Sequence, residues 1–391
     1  MTRAFLVVID SVGIGGAPDA DRFFNGSRPD TGANTVAHIA QNHPLSLPVL
    51  DGLGLGAAVR LASGAATPGL TATPTGAWGA ATEVSPGKDT PSGHWELAGV
   101  PVPWDWTYFP DTRPAFPDDL TALICTLAGT DGILGNCHAS GTAIIDEHAV
   151  EHMTTGWPIV YTSADSVLQI AAHEGTFGLD RLLTLCRDLA PHVHAMKVGR
   201  VIARPFVGQD GAYSRTANRK DFAIATPSPT ICDDAQAAGR KVHAVGKIGD
   251  IFSMRGIDDV RKGEDRQLMD HLSDLIDTAE DGSFTFANFV EFDSLYGHRR
   301  DIPGYAGHLE WFDGALGDLL GRLRDGDLLI VTADHGNDPS WSGTDHTRER
   351  VPVLVHGCGA RELGLVGFVD VAASVADHLG IAHTGPGKSF L

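Results

Sequence analysis

The sequence predicts an α/β protein with a central, mostly parallel sheet flanked by helices. Three hydrophobic segments have the composition of buried strands, and each runs into an aspartate: Ala4–Asp10, Phe286–Asp293 and Leu328–Asp334. Apolar residues at helical spacing occupy 309–323, between the second and third of these segments. Because ligands of an open α/β sheet bind outside the carboxyl ends of its strands, we expect the three aspartates to converge at one edge.

Length and charge limit the class of protein. A chain of 391 residues is long for one domain and suggests two, and 42% hydrophobic residues are ample for a core. The net charge of −20 argues against a broad surface for nucleic acid or anionic membrane, because both require a basic footprint. We therefore expect a small-molecule substrate, with no nucleic acid, no membrane and no obligate protein partner.

The cysteines and the N-terminal segment predict a cytoplasmic protein. The five cysteines are odd in number and form no CxxC pair, which favours reduced thiols in the cytosol. The first apolar run ends at Asp10 after a few residues. It is too short for the hydrophobic region of a signal peptide or for a membrane helix, so the cytoplasm is the expected compartment.

The order of segments predicts a core domain that is interrupted by a smaller inserted domain. A glycine-rich turn, Ser11–Gly16, follows the first strand and lacks the GxGxxG spacing of dinucleotide sites. Prolines and tryptophans between Pro101 and Pro117 prevent a continuous helix or central strand there, as expected at a crossing between domains. We predict a core formed by 1–104 and 221–391, and an α/β cap domain for substrate recognition at 105–220.

Further elements follow from local patterns. Pro158–Thr162 is predicted to be a strand, and Asp165 is predicted to cap a helix that runs to Ala172. Asp180–Leu189 is predicted to be an amphipathic helix. Asp370 is predicted to cap a final helix that ends near Leu379 and Gly380.

Histidines accompany the strand-end aspartates in a pattern that predicts a metal site. A lone histidine or aspartate is more often structural, but here the groups occur together: Asp10, Asp293, His298, Asp334, His335 and His346. Carboxylates and imidazoles are ligands for divalent metals. Six such groups at strand ends would repel one another or carry unsatisfied charge without a cation, so we predict a site for two metal ions.

The segment Gly87–Glu96 supplies two candidate nucleophiles, the hydroxyls of Thr90 and Ser92. Coordination to a dication lowers the pKa of a hydroxyl and makes an alkoxide accessible. A capping turn without chemistry is the alternative for this segment. The neighbouring metal pattern favours the nucleophile.

Four segments carry a specific resemblance: GKDTPSGHWE, FVEFDSLYGHRRD, TADHGND and GTDHTRERVPVL. They resemble the signature segments of phosphopentomutases, a family of the alkaline-phosphatase superfamily, and with Asp10 they span essentially the whole chain. The resemblance implies an alkaline-phosphatase-like core with two Mn²⁺ ions per subunit and a smaller inserted α/β cap. It also implies interconversion of ribose 1-phosphate, or its 2-deoxy form, with the 5-phosphate in nucleoside salvage.

The resemblance assigns roles to individual residues. Thr90 corresponds to the phosphorylated threonine, directly after Lys88 and Asp89. One metal would be held by Asp10, Thr90, Asp334 and His335, and the other by Asp293, His298 and His346. Substrate would be bound by Ser163, Asp165, Val167, Arg200, Ile202, Arg215 and Lys247, with Arg204 a weaker candidate. For each arginine, a solvated surface charge is the alternative.

The implied mechanism passes through a pentose 1,5-bisphosphate and requires priming by a bisphosphorylated sugar, either glucose 1,6-bisphosphate or ribose 1,5-bisphosphate. A cofactor-independent phosphoglycerate mutase is one alternative, although it uses a serine nucleophile and a larger insertion. A phosphatase or sulfatase of the same superfamily is another. A metal-binding protein without catalysis is the alternative from a different class, and the intact ligand set and Thr90 argue against it.

Overall fold

The computed structural model describes residues 2–163, 165–209 and 211–391. The chain divides into two compact units. The larger unit comprises Met1–Pro103 and Thr226–Leu391, and the smaller unit comprises Trp104–Ala225. The sequence prediction placed the limits of the inserted domain after residues 104 and 220.

The strands alternate with helices along the chain. The described strands are β1 (Ala4–Ile9), β2 (Phe24–Asn25), β3 (Arg28–Pro29), β4 (Ala77–Thr82), β5 (Leu134–His138), β6 (Ile159–Thr162), β7 (Val167–His173), β8 (Arg200–Gln209), β9 (Ala212–Arg215), β10 (Lys220–Ala223), β11 (Val242–Val245), β12 (Asp259–Arg261), β13 (Phe284–Phe289), β14 (Leu328–Thr332), β15 (Val351–His356) and β16 (Arg361–Gly367).

The α-helices of the described residues are α1 (Thr35–Asn42), α2 (Pro48–Leu53), α3 (Leu55–Ser63), α4 (Thr90–Leu97), α5 (Asp118–Ala128), α6 (Gly141–Thr155), α7 (Leu179–Ala195), α8 (Ile231–Ala237), α9 (Ile248–Ile251), α10 (Asp265–Thr278), α11 (Ile302–Leu320) and α12 (Phe368–Leu379). A short 3₁₀ helix occupies Ala20–Arg22, and π-helical turns occupy Glu174–Gly178 and Phe292–Gly297.

The larger unit is built on a sheet with the order β12-β11-β13-β1-β14-β15-β4-β16. Pairing is parallel from β12 to β14 and again between β4 and β16, and β15 is antiparallel to both of its neighbours. The predicted α/β fold with a mostly parallel sheet is therefore confirmed. Every residue of β1, β13 and β14 is buried. Because both faces of these strands are covered, their sequences are continuous runs of mostly apolar residues.

Two strands end earlier than the sequence predicts. β13 stops at Phe289 rather than at Asp293, and Asp293 lies in the π-helical turn. The carboxylate of Asp265 accepts hydrogen bonds from the backbone N–H groups of Val290 and Glu291, at 3.2 Å each, and these bonds take the place of the strand ladder. β14 ends at Thr332, two residues before Asp334.

The two predicted helices near the C-terminus exist, with one correction. α11 buries Leu309, Phe312 and Leu316, as its helical spacing predicts. For α12, Asp370 is not the N-cap residue. The N-cap is Gly367, and Asp370 lies one turn inside the helix, where its Oδ2 accepts the Gly367 N–H at 2.8 Å. Gly380 ends α12 in the left-handed conformation, with φ of 64°.

The smaller unit contains a sheet with the order β10-β8-β7-β6-β5, and β9 pairs with β8. The helix predicted from Asp165 to Ala172 is wrong, because β7 occupies this segment. β7 pairs in parallel with β8 and antiparallel with β6. Alternate side chains face opposite clusters, with Leu168 and Ile170 in one and Ala171 in the other, which is the period of a strand. The predicted strand β6 and helix α7 are confirmed.

Within the described part of the chain, none of the helices combines the length and the apolar character that crossing a membrane requires.

Candidate metal centre

Three neighbouring strands bring the candidate ligands together. β1 lies between β13 and β14, and all three run in parallel, so their carboxyl ends meet at one edge. Asp10 directly follows β1, and Asp334 and Asp293 follow the other two strands. Their side chains are buried, with relative exposures of 0%, 0% and 6%. The sequence pattern therefore places three carboxylates in one small, buried region.

The first cluster contains Asp10, Asp334 and His335, whose ligand atoms all lie within 4.8 Å of one another. Nε2 of His335 is 3.6 Å from Asp10 Oδ1 and 3.2 Å from Asp334 Oδ2. The hydroxyl of Thr90 joins this cluster, because its Oγ1 lies 3.3 Å from the same Nε2. The structure thus brings together the four residues that the sequence predicts for one metal.

The second cluster contains Asp293 and His346, with His335 as a shared neighbour. Nε2 of His346 lies 3.4 Å from Asp293 Oδ1, and Nε2 of His298 lies 3.1 Å from Asp293 Oδ2. The rings of His298 and His346 have centroids 4.8 Å apart. The three residues predicted for the other metal are therefore also adjacent.

Hydrogen bonds orient two of the imidazoles toward the clusters. Nδ1 of His335 lies 3.1 Å from the carbonyl oxygen of Gly336, and Nδ1 of His298 lies 2.6 Å from that of Thr344. A carbonyl only accepts, so each Nδ1 carries a hydrogen and each Nε2 faces the cluster, where the neutral ring would offer its lone pair to a cation. Burial lowers the pKa of His335 to about 4, which keeps this ring neutral as a metal ligand must be.

The carboxylates carry charge that the protein compensates only in part. Burial, together with the carboxylates of Asp334 and Asp293, raises the pKa of Asp10 well above its ordinary value. Burial also opposes ionisation of Asp293, but His346 and His298 outweigh it and hold the pKa of Asp293 well below its ordinary value. Oδ1 of Asp10 and Oδ2 of Asp334 are buried without a hydrogen-bond partner among the described residues.

These features fit divalent cations. Buried carboxylate oxygens without donors, and imidazole nitrogens that face them, form the mixed oxygen and nitrogen set that such ions accept. A cation would offset the burial and the carboxylate repulsion that together raise the pKa of Asp10. The residues present therefore fit two ions, one at each cluster.

The turn that carries the two candidate hydroxyls begins α4. Thr90 is the first residue of the helix, and the side chain of Asp89 caps it by accepting the Ser92 N–H at 3.0 Å. Thr90 is partly exposed and faces His335, whereas Ser92 is fully buried. The Ser92 hydroxyl instead packs beside Gly87, where a Cβ atom would come within 2.2 Å of Ser92 Oγ. Thr90 is thus the hydroxyl beside the candidate ligands.

A third group of possible ligands, Asp265, Glu291 and His308, lies beside the backbone that follows β13. The carboxylate of Asp265 accepts hydrogen bonds from two backbone N–H groups and lies 2.9 Å from His308 Nε2. These bonds satisfy Asp265 and hold the turn that follows the strand. We interpret this group as structural.

Two buried charged residues that the sequence reasoning missed hold the segment of His346. Arg348 forms ion pairs with Glu83 and, at 3.0 Å, with Asp19, and its Nη1 donates to the carbonyl oxygen of Gly87 at 2.5 Å. This guanidinium ties the segment of His346 to the turn before Thr90. Its position directly behind the TDHT motif was the available signal, but nothing in the sequence names its partners.

Glu349 is the second of these residues. Its carboxylate accepts hydrogen bonds from the backbone of Gly15 at 2.9 Å, from the hydroxyl of Thr35 at 2.8 Å and from that of Thr347 at 2.6 Å. The glycine-rich turn after β1 is thereby fixed against the same segment. A Cβ atom at Gly13 would lie 2.4 Å from Glu349 Oε2, so the turn requires glycine there for close approach.

Most predicted substrate residues lie on adjacent elements of the smaller unit. Arg200 opens β8 beside Val167 of β7, and its guanidinium lies 3.3 Å from Asp165 Oδ2 and 3.6 Å from Asp221 Oδ2. Ile202 is buried in the same strand, two residues on.

The other four candidates lie elsewhere. Oγ of Ser163 is 3.5 Å from Nε2 of Gln169, and Arg215 is exposed at the end of β9. Arg204 donates to Oε1 of Gln169 at 3.0 Å. Lys247 belongs to the larger unit, where it is exposed before α9, and its charge weakly opposes the rise in the pKa of Asp10.

The fold and the site define the class of this protein. Carboxylates and imidazoles buried at the strand ends of an α/β core are the site of a metal-dependent enzyme, and the family model of the metalloenzyme superfamily matches residues 2–383. Phosphopentomutases of Sinorhizobium fredii and Rhizobium meliloti are each 52% identical to the chain over 100% of both sequences. The phosphopentomutase of Methylobacterium radiotolerans is 51% identical, with the same coverage.

The chain therefore belongs to the phosphopentomutase family of the metalloenzyme superfamily, and it is an enzyme of the phosphomutase type, an isomerase. Among solved structures, a phosphoglycerate mutase of Leishmania mexicana aligns with 99% of this chain and 97% of its own, at 13% identity and a TM-score of 0.48. A 2-O GAG sulfatase aligns with 43% of this chain and 57% of its own, at 14% identity and a TM-score of 0.35.

Proposed function

We propose that this enzyme interconverts ribose 1-phosphate, and 2-deoxyribose 1-phosphate, with the corresponding 5-phosphates through a phosphothreonine at Thr90. One observation carries the proposal: Oγ1 of Thr90 lies 3.3 Å from Nε2 of His335, beside Asp10 and Asp334. A hydroxyl in this position can share a cation with the three ligands. The full-length relatives named phosphopentomutase supply the substrate class.

The proposal includes two divalent cations per subunit. The resemblance to phosphopentomutases implies that they are Mn²⁺. One would be held by Asp10, Thr90, Asp334 and His335, and the other by Asp293, His298 and His346. Bound cations would lower the pKa of the threonine hydroxyl and neutralise charge on the transferring phosphoryl group. Asp10 Oδ1 and Asp334 Oδ2, which are buried without a hydrogen-bond donor among the described residues, support this ligand set.

The reaction is proposed to proceed in two half-reactions. The free C5 hydroxyl of ribose 1-phosphate attacks phospho-Thr90, the bond from Oγ1 to phosphorus breaks, and ribose 1,5-bisphosphate forms as the hydroxyl loses its proton. After the sugar reorients, Oγ1 of Thr90 attacks the C1 phosphate, and O1 leaves and takes up a proton. Thr90 is phosphorylated again, so the cycle closes once glucose 1,6-bisphosphate or ribose 1,5-bisphosphate has primed it.

The smaller unit is proposed to recognise the substrate. Its candidate residues are Ser163, Asp165, Val167, Arg200, Ile202 and Arg215. A guanidinium suits the bidentate binding of a phosphate group, and Asp165 offers an acceptor for sugar hydroxyls. The ion pair of Arg200 with Asp165, at 3.3 Å, orders both groups before any ligand arrives. Lys247 of the larger unit is proposed to bind phosphate as well.

A ³¹P NMR assay tests this proposal. The enzyme is loaded with Mn²⁺ and incubated with ribose 1-phosphate, with and without glucose 1,6-bisphosphate. We expect ribose 5-phosphate to form, and the bisphosphate to accelerate it. Net release of inorganic phosphate without isomerisation would favour a phosphatase. If phosphoglycerate is isomerised and ribose 1-phosphate is not, the protein would be a phosphoglycerate mutase. The cytoplasmic location and the role in nucleoside salvage stay predictions.

A further inference from the structure

His94 connects the helix of the nucleophile to a metal ligand. It lies on α4, one helical turn after Thr90, and it is fully buried. Its Nδ1 is 2.9 Å from the carbonyl oxygen of Thr90 and 3.1 Å from Oδ2 of Asp334. On the other side of the ring, Nε2 is 3.1 Å from Nδ2 of Asn288.

Asn288 continues this connection to the next strand. It belongs to β13, pairs with Val8 of β1 and is fully buried, and its Nδ2 lies 2.9 Å from Oδ2 of Asp10. An ionised Asp10, as a metal ligand must be, only accepts hydrogen bonds, so the amide nitrogen and not the amide oxygen faces it. The second hydrogen of the same nitrogen is donated to Nε2 of His94.

This assignment fixes the tautomer of His94. Because Nε2 accepts from Asn288, the hydrogen of the ring is on Nδ1, where the Thr90 carbonyl oxygen accepts it, and Asp334 Oδ2 lies 3.1 Å from the same nitrogen. The amide and the imidazole therefore join two carboxylates of one cluster to the backbone of Thr90. Each donor in this path meets an acceptor.

We propose that His94 and Asn288 are positioning residues, which fix the carboxylates of Asp10 and Asp334 and the hydroxyl of Thr90 in one geometry for cation binding and phosphoryl transfer. Partners that hold the first ligands of a metal change its affinity when they are removed. The inference rests on the proposed function, because it uses the cation site and the nucleophile assigned there. Neither residue is assigned a contact with the substrate.

Core packing is the competing explanation for His94, since its ring stacks on Phe286 with centroids 6.0 Å apart. Packing alone would affect stability but would not affect Mn²⁺ affinity in a folded variant. His152 is a matched control, because it is a fully buried histidine of the smaller unit. Its Nδ1 lies 2.6 Å from the Trp157 carbonyl oxygen, and its Nε2 accepts the His173 N–H at 2.9 Å.

The experiment compares His94→Phe and Asn288→Leu with His152→Phe. Mn²⁺ is titrated into chelator-treated protein by calorimetry, and thermal unfolding of the metal-free protein reports folding. We expect one Mn²⁺ to bind roughly 10–100-fold more weakly to the first two variants, and to be unchanged in His152→Phe. We also expect kcat to fall while KM for the sugar phosphate is retained.

A conservative substitution separates positioning from packing. His94→Asn places an amide nitrogen near the position of Nδ1, so it should recover part of the affinity that His94→Phe loses. Wild-type Mn²⁺ affinity and wild-type kcat in a folded His94→Phe or Asn288→Leu would overturn the inference. If His94→Phe does not fold, Asn288→Leu decides. A wild-type protein that binds no Mn²⁺ would refute the proposed function itself, which distinguishes the two failures.

Discussion

The imidazole rings of His335 and His346 lie with centroids 4.1 Å apart and with planes inclined by 35°. His335 belongs to both clusters of possible ligands, one with Asp10 and Asp334 and the other with Asp293 and His346. The two candidate cation positions are therefore neighbours, and His335 lies beside both. Two-metal sites for phosphoryl transfer use this kind of adjacency, with ions about 3.5–4 Å apart.

Removal of metal is the first test. Treatment with a chelator should abolish mutase activity, and added Mn²⁺ should restore it better than other divalent ions. The physical reason is that three buried carboxylates and three imidazoles are compensated only in part by the protein. Elemental analysis should find about two ions per chain in the restored enzyme. Undiminished turnover in protein shown to be free of metal would contradict the two-ion site.

The identity of the nucleophile is the second test. Thr90→Ala should remove mutase activity and leave the fold intact, because Thr90 is partly exposed beside His335. Ser92→Ala should be much milder for activity, since the buried Ser92 hydroxyl packs beside Gly87. Peptide mapping after incubation with glucose 1,6-bisphosphate should locate phosphate on Thr90. Phosphate found on Ser92 would show that the other hydroxyl is the nucleophile.

The arginines of the smaller unit provide a third test. Arg200→Ala or Arg215→Ala should lower kcat/KM of the mutase reaction, with each lost charge-assisted bond costing roughly 1.5–3 kcal/mol. Hydrolysis of phospho-Thr90 does not need these arginines, so slow release of inorganic phosphate should persist. Arg187→Ala is the control, because this exposed arginine pairs with its neighbour Asp188, at 3.1 Å.

Two outcomes would contradict the assignment of these arginines. Equal loss of mutase and hydrolase activity in Arg200→Ala would indicate a general effect on folding or on the metal centre. If both variants have the same kinetics as Arg187→Ala, Arg200 and Arg215 are solvated surface charges that do not bind the substrate.

The sequence predicts the sheet best where burial is complete. β1, β13 and β14 are buried on both faces, so their apolar runs are unambiguous, and the rule for strand ends then brings Asp10, Asp293 and Asp334 together. For the segment of β7 the sequence predicts a helix, which is wrong. Its sequence follows a plausible cap residue, and its pairing with β6 and β8 involves contacts that no local pattern reports.

The supporting residues of the site show the same limit. Arg348 acts through Glu83 and Gly87, and His94 acts through Asn288, and each partner is distant in sequence. A buried arginine or histidine has no periodicity that reveals its partner. Candidate ligands can be predicted because several of the same chemical type recur at strand ends, whereas the groups that orient them become visible only in three dimensions.

The pH dependence of stability is the last test, and it concerns Glu349. Burial, assisted by the charge of Asp338, raises the pKa of Glu349 from 4.5 to about 7 in the folded protein. Between these values the native state holds a proton that the unfolded chain has released. The contribution of this group to stability is therefore fully present below pH 4.5 and is lost as the pH rises through about 7.

Glu349→Gln removes this titration and keeps the size of the side chain, so the variant isolates its effect. Urea denaturation of metal-free protein should be measured from below pH 4.5 to above pH 7. We expect the unfolding free energy of the wild type, relative to the variant, to fall across this window. Glu362→Gln, the same change at an exposed position of β16, should give a curve parallel to the wild type. A Glu349→Gln curve that is also parallel would show that the carboxyl has the same pKa in the folded and unfolded states, and that its hydrogen bonds to Gly15, Thr35 and Thr347 offset the effect of burial.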